Sequence, residues 1–105
     1  MSTAYRDFHL QPIAGAWREG GSERSTRVTN PYDGSVLLDI RLADRRDLDA
    51  AFLAAEKAQA EWAATPPAER SALLQRVVAI FDARKEEIID WLIRKSGSTR
   101  LKANV

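Results

Sequence analysis

The sequence predicts an α+β fold, with short antiparallel strands in a hairpin or meander followed by two or three amphipathic helices. Three observations carry that reading. Turn-forming residues and short alternating apolar runs dominate the N-terminal part, the apolar period changes from two to 3.6 at Asp44, and prolines and glycines then mark helix boundaries. With 105 residues, 45% hydrophobic and 30% charged, the chain has material for one domain of ordinary globular composition. It reads as a single segment, residues 12–43 supplying strands and turns and residues 44–105 supplying helices.

Residues 13–17 form the first apolar run and predict a short strand. Arg18-Glu19-Gly20-Gly21-Ser22 follows, and its paired glycines supply the positive φ of a tight hairpin turn. Residues 26–29 predict a second strand. Asn30-Pro31-Tyr32-Asp33-Gly34 is the strongest turn in the chain, because Pro31 presets φ at a central position and Asp33-Gly34 tolerates left-handed geometry. Beyond it, Leu38, Ile40 and Leu42 alternate with Asp39 and Arg41, which predicts a strand with one buried face.

Asp44 is placed to cap the next helix, with Asp47 three residues on and Asp49 close to the positive end of the helix dipole. Leu48, Ala51, Phe52, Ala55, Gln59 and Trp62 recur at spacings of three and four, a stripe expected to face the core. Thr65-Pro66-Pro67 ends that helix and starts another, where Glu69 sits at the position of a capping-box acid. Leu73, Leu74, Val77, Val78, Ile80 and Phe81 form the second apolar face. Polar residues separate Phe81 from Ile88, so a kink or break is expected near Arg84 before Ile88, Ile89, Leu92 and Ile93 restore the stripe. Ser96-Gly97 predicts a helix end with a left-handed glycine, and the pattern restarts through Thr99, Arg100, Leu101 and Lys102.

The search for chemistry returns no catalytic, cofactor-binding or metal-ligating residue. The absence of cysteine removes disulfides, thiolate metal sites and thiol nucleophiles together. His9 is the lone histidine, so sites needing two imidazoles are excluded and His9 reads as a solvated or locally bonded side chain. Glu86-Glu87 and the Asp47/Asp49 pair read as solvated helix faces, since neighbouring helical residues point in different directions. Gly20-Gly21 lacks the surroundings of a phosphate loop. Trp17, Trp62 and Trp91 read as packing residues in a strand and two helices. The net charge of +1 with interspersed signs gives no basic face for nucleic acid. No apolar run approaches a membrane span or a signal-peptide core, and the cytoplasm is the expected compartment.

The order of these features resembles the start of an aldehyde dehydrogenase. Trp17 and Gly20 match the family's opening Trp and Gly, and Asn30-Pro31-Tyr32-Asp33-Gly34 matches its Asn-Pro-x-x-Gly turn. Asp47-Leu48-Asp49-Ala50-Ala51 continues the match through Ala54-Ala55 to Trp62. Pro67-Ala68-Glu69-Arg70 then matches a Pro-x-Glu-Arg helix start, with Leu73-Leu74 following. The closing Ser96-Gly97-Ser98-Thr99-Arg100-Leu101-Lys102-Ala103 is similar to the benzaldehyde and vanillin dehydrogenase branch, while Lys95 departs from the acid common before that motif.

The resemblance implies a family in which a cysteine thiolate attacks the aldehyde, hydride passes to NAD or NADP, and a glutamate-activated water releases the acid. It also implies that those residues lie downstream, outside a cysteine-free chain that reads as the opening of a longer protein. The catalytic domain and most of the coenzyme-binding domain are therefore expected to be absent, the chain inactive on its own, and its role that of a scaffold. Helices without their covering domain predict a homo-oligomer burying Phe52, Trp62, Phe81 and Trp91, or association with the remainder of the dehydrogenase. The rival readings are an autonomous interaction module derived from such an enzyme and a generic helical binding domain.

Overall fold

The computed structural model describes residues 6–104. Four strands, β1 (Gln11–Ile13), β2 (Ala16–Arg18), β3 (Ser25–Thr29) and β4 (Val36–Arg41), precede four helices, α1 (Arg45–Ala64), α2 (Pro67–Ala83), α3 (Lys85–Ser96) and α4 (Arg100–Ala103). The architecture is α+β. Its strands form two separate antiparallel hairpins, β1 with β2 and β3 with β4, instead of one continuous meander.

The first hairpin turns earlier than its glycine pair suggests. Ala14 and Gly15 both take positive φ, 52° and 79°, the pattern of a two-residue turn whose twist matches its flanking strands. The run at residues 13–17 is thus a strand end, a turn and a second strand. Gly20 and Gly21 have a different use. A Cβ on Gly20 would overlap the Leu42 carbonyl, so the glycine permits the connecting loop to lie against the end of β4. The Ser22 amide donates to the Leu42 carbonyl at 3.1 Å and the Leu42 amide to the Arg24 carbonyl at 2.9 Å.

The second hairpin follows its turn chemistry closely. The Asn30 side-chain oxygen accepts from the Tyr32 amide at 2.9 Å, the Gly34 amide donates to the Asn30 carbonyl at 2.8 Å, and Gly34 holds φ at 73°. Asp33 accepts from both the amide and hydroxyl of Ser35. The strands pair Arg27 with Asp39 and Val28 with Leu38, then slip by one residue so that Thr29 faces Val36. The Arg27–Asp39 ion pair spans this ladder at 3.0 Å.

Helix α1 starts in a reciprocal capping box: the Asp47 amide donates to Asp44 and the Asp44 amide donates to Asp47. Helix α2 starts without one. Its cap position is Pro66, which has no N–H for the Glu69 carboxylate to receive and no side-chain acceptor to offer. Arg84, at φ −110° and ψ 16°, ends α2 and begins α3 as one break between two helices. Its guanidinium pairs with Glu87 through two contacts, one at 2.7 Å. Gly97 closes α3 in the left-handed conformation and lies against the Pro31 ring. Thr99 caps the one-turn α4, and Arg100 bridges back to Glu86 and Asp90 of α3.

The core is small. Ile13 and Ile89 are the buried apolar side chains among the described residues. The radius of gyration is 17.0 Å, against about 13 Å for a compact chain of this length. The stripe expected to bury α1 lies instead in the open, with Phe52 71% exposed, and α2 buries none of its residues. Both helices have core-type sequences and no layer among the described residues covers them.

Candidate functional site

Two features stand apart from ordinary surface: a buried carboxylate joining the two halves of the chain, and a broad apolar face on the helices. Asp47 is 3% exposed. Its Oδ2 accepts the Gly21 amide at 2.6 Å and the Asp44 amide at 3.0 Å, while Oδ1 meets the Arg18 guanidinium at 2.8 Å. These donors come from β2, the loop after it and the start of α1. They hold the carboxyl below its ordinary range, the Asp44 amide contributing most, then the Gly21 amide, with the Arg18 charge adding to both against the cost of desolvation. Sequence reasoning placed Asp47 at the dipole end of a helix but read it as part of a solvated face; it is buried instead, because its link to the hairpin 26 residues earlier carried no local signal. This is a structural joint, with both carboxylate oxygens already engaged.

The second feature begins at the α2–α3 break. Phe8, Ile80, Phe81, Ile88, Trp91 and Leu92 line an apolar groove of about 280 Å³, with Arg84 and Glu87 at its edge. Phe8 stacks on Trp91 with centroids 4.4 Å apart and rings within 3° of parallel, and the Arg94 guanidinium lies 5.1 Å from the Trp91 ring. Trp91 thus packs, as read from its helical position, while the Phe8 partner lay in a stretch without apolar pattern. Leu74 and Val78 on α2 and Phe52 and Leu53 on α1 are further exposed apolar side chains. Trp62 covers the start of α2, where Arg70 lies 6.0 Å from its ring.

These residues can bind an apolar surface; they do not assemble reacting groups. His9 is half-buried near the N-terminus, and no cluster of three or more His, Cys, Asp or Glu side chains able to hold a metal occurs among the described residues. Asp49, Glu86 and Glu87 remain helix-surface acids, Glu86 and Glu87 engaged by Arg100 and Arg84. No described helix is long and apolar enough to cross a membrane.

The strand-pair and helix arrangement coincides with a known enzyme framework. The profile of the aldehyde dehydrogenase family matches residues 17–105. The chain belongs to the aldehyde dehydrogenase family. Among relatives of known name, the vanillin dehydrogenase of Corynebacterium glutamicum is 54% identical over 93 residues, covering 89% of this chain and 19% of that enzyme. A benzaldehyde dehydrogenase of Bacillus subtilis is 34% identical over 99 residues, 94% of this chain and 20% of its own length. The crystal structure of a NAD-dependent benzaldehyde dehydrogenase from C. glutamicum superposes with a TM-score of 0.89 at 48% identity, covering 99% of this chain and 22% of that structure. A solved structure from Sinorhizobium meliloti, complexed with NAD, gives a TM-score of 0.81 at 34% identity over 88% of this chain and 19% of that one. This aldehyde dehydrogenase chain therefore spans about a fifth of the length of the relatives it matches.

Proposed function

We propose that this chain is the N-terminal scaffold of a NAD- or NADP-dependent aldehyde dehydrogenase acting on aromatic aldehydes, and that it has no turnover by itself. The observation carrying the reading is the superposition of nearly the whole chain on a fifth of a NAD-dependent benzaldehyde dehydrogenase at 48% identity. The aldehyde oxidation belongs to the remaining four-fifths. Nothing among these 105 residues supplies a cysteine nucleophile.

The residues present do not fit the dinucleotide either. A pyrophosphate sits best on free amides at a helix N-terminus, but the α1 terminus is filled by the Asp44 and Asp47 carboxylates and the α2 terminus carries Pro66 and Pro67. The glycines are used in turns at Gly15, Gly34 and Gly97 and in close contacts at Gly20 and Gly21. No step of the reaction is assigned to this chain.

Its contribution is to cover the rest of the enzyme with the apolar face of α1, α2 and α3. The molecule exposes 8595 Å², about 2,700 Å² more than a compact monomer of its mass, which is the scale of a substantial interface. In the absence of the covering domain, the same face brings copies of the chain together through Phe52, Trp62, Phe81 and Trp91. Light scattering then reports a mass above that of the monomer; a compact monomer across a wide concentration range contradicts the self-association.

Reconstitution tests the main reading. Reduced nicotinamide absorbance is followed with vanillin or benzaldehyde as substrate, for the chain alone, for the downstream four-fifths of the C. glutamicum vanillin dehydrogenase alone, and for the two mixed. Turnover in the mixture only is the expected result; turnover by the chain alone, or a downstream part that neither binds the chain nor gains activity from it, overturns the proposal.

A further inference from the structure

One donor of a cation on α2 is left unsatisfied. Arg70, in the first turn of α2, is half-buried and has no carboxylate partner among the described residues. Its Nε is buried without a hydrogen-bond acceptor, although Trp62 covers the group from one side at 6.0 Å. A buried donor left unpaired costs far more than an average hydrogen bond contributes, and the aromatic ring offers charge attraction without a lone pair in the plane of the fork. The Trp62 ring that covers Arg70 also lines a recess of about 310 Å³ with Thr65, Glu69, Ala72, Leu73 and Arg76.

We infer that Arg70 is the polar anchor of the docking face: the surface that covers α2 brings a carboxylate to the Arg70 guanidinium. The inference rests on the scaffold reading above and adds the chemistry that selects the partner. The occupant is the part of an aldehyde dehydrogenase that this chain does not span, because the superposed benzaldehyde dehydrogenase contains that part and this chain covers only 22% of the structure. Since Arg70 is only half-buried, an incoming acceptor reaches the fork, and a small rotation of the planar group brings Nε into the same pair. Once the face is covered the local dielectric falls, so a guanidinium with a carboxylate is strengthened and one without it is penalised. Arg70 therefore discriminates between a matched surface and any apolar surface of similar shape. Leu74, Val78 and Phe81 supply area, and Arg70 supplies register.

The test is a binding titration of the chain against the downstream four-fifths of the vanillin dehydrogenase, read by tryptophan fluorescence or calorimetry at low and high salt. Arg70→Gln weakens binding tenfold or more and flattens its salt dependence, while Arg70→Lys, which keeps the charge but loses the fork, falls between. Leu74→Ala weakens binding with the salt dependence unchanged. Circular dichroism confirms that each variant keeps its helices; if Arg70→Gln unfolds, the Arg70→Lys affinity and the wild-type salt slope decide alone. Wild-type binding with equal affinity for Arg70→Gln overturns the anchor while leaving the scaffold reading intact. A carbonyl acceptor in place of a carboxylate shows as tenfold loss in Arg70→Gln with no salt slope in the wild type, which overturns the carboxylate assignment. Absence of wild-type binding overturns the scaffold reading itself.

Discussion

The Asp47 carboxylate accepts the Gly21 amide at 2.6 Å across 26 residues of sequence, joining the loop after the first hairpin to the first turn of the first long helix. Because the same carboxylate also completes the capping box with Asp44 and pairs with Arg18, one side chain ties the first hairpin and its following loop to the start of α1. Asp47→Asn removes the Arg18 ion pair and replaces one acceptor oxygen with a donor facing backbone N–H groups. The melting temperature of Asp47→Asn is expected to fall by several degrees in a thermal scan, whereas Asp49→Asn, at an exposed position of the same turn, leaves it nearly unchanged.

Acid should loosen the same joint. Asp47 is held below the ordinary carboxylate value by the Asp44 amide first and the Gly21 amide next, and Asp33 is lowered by the Ser35 hydroxyl and amide. A carboxyl lowered in the folded state contributes stability that is complete above the unfolded value of about 4 and is lost as pH falls through the lower folded value. Urea midpoints measured from neutral pH down to pH 3 are therefore expected to drop at the acid end. The drop should be shallower in Asp47→Asn, which has lost the titrating group; an equally steep acid limb in that variant would assign the effect elsewhere.

Gly20 and Gly15 separate two reasons for a glycine. Gly20→Ala drives a methyl into the Leu42 carbonyl and is expected to cost about 1–3 kcal/mol as the loop is forced off β4. Gly15→Ala meets nothing within 4 Å but carries φ at 79°, so it should cost about 1–2 kcal/mol from the backbone alone. Chemical denaturation of both variants measures the difference. The functional consequence distinguishes them further: Gly20→Ala displaces the loop that feeds Gly21 to Asp47, and only it should also weaken the hairpin-to-helix joint.

Local chemistry was legible in the sequence wherever the cause was local. Asn30, Pro31 and Gly34 announced their turn, Asp44 the cap of α1, Arg84 the helix break and Gly97 a helix end, because each depends on neighbours within a few residues. The hairpin turn was misplaced at Gly20-Gly21, since paired glycines signal freedom of φ without saying whether a turn or a close backbone contact uses it. The α1 stripe was read as facing a core and lies open, whereas the expectation that the helices leave apolar faces uncovered agrees with the exposure of Phe52 and Leu74. Periodicity reports that a face needs cover, and the exposure of Phe52 and Leu74 shows that no described residue supplies it. For the site, Arg70 was legible only as part of a helix-start motif; that its Nε lacks an acceptor is a tertiary fact.

The stack of Phe8 on Trp91 predicts that the segment before β1 stabilises α3. Phe8→Ala removes a ring pair worth about 0.5–1.5 kcal/mol beyond its buried area and opens one wall of the groove at the α2–α3 break. Its urea midpoint should fall accordingly, with faster amide exchange at α3 than at the β3–β4 hairpin. An unchanged midpoint would mean the stack forms without contributing.

Amide hydrogen exchange along α2, with and without the downstream four-fifths of the vanillin dehydrogenase, tests the scaffold reading most directly. Helix α2 buries none of its own residues in this chain, so at concentrations dilute enough to keep the chain monomeric its amides should exchange quickly and slow by tenfold or more on mixing, with Leu74, Val78 and Phe81 among the most affected. Exchange along α2 that is already slow in the isolated monomer, or that is unaltered by the added domain, would contradict the account.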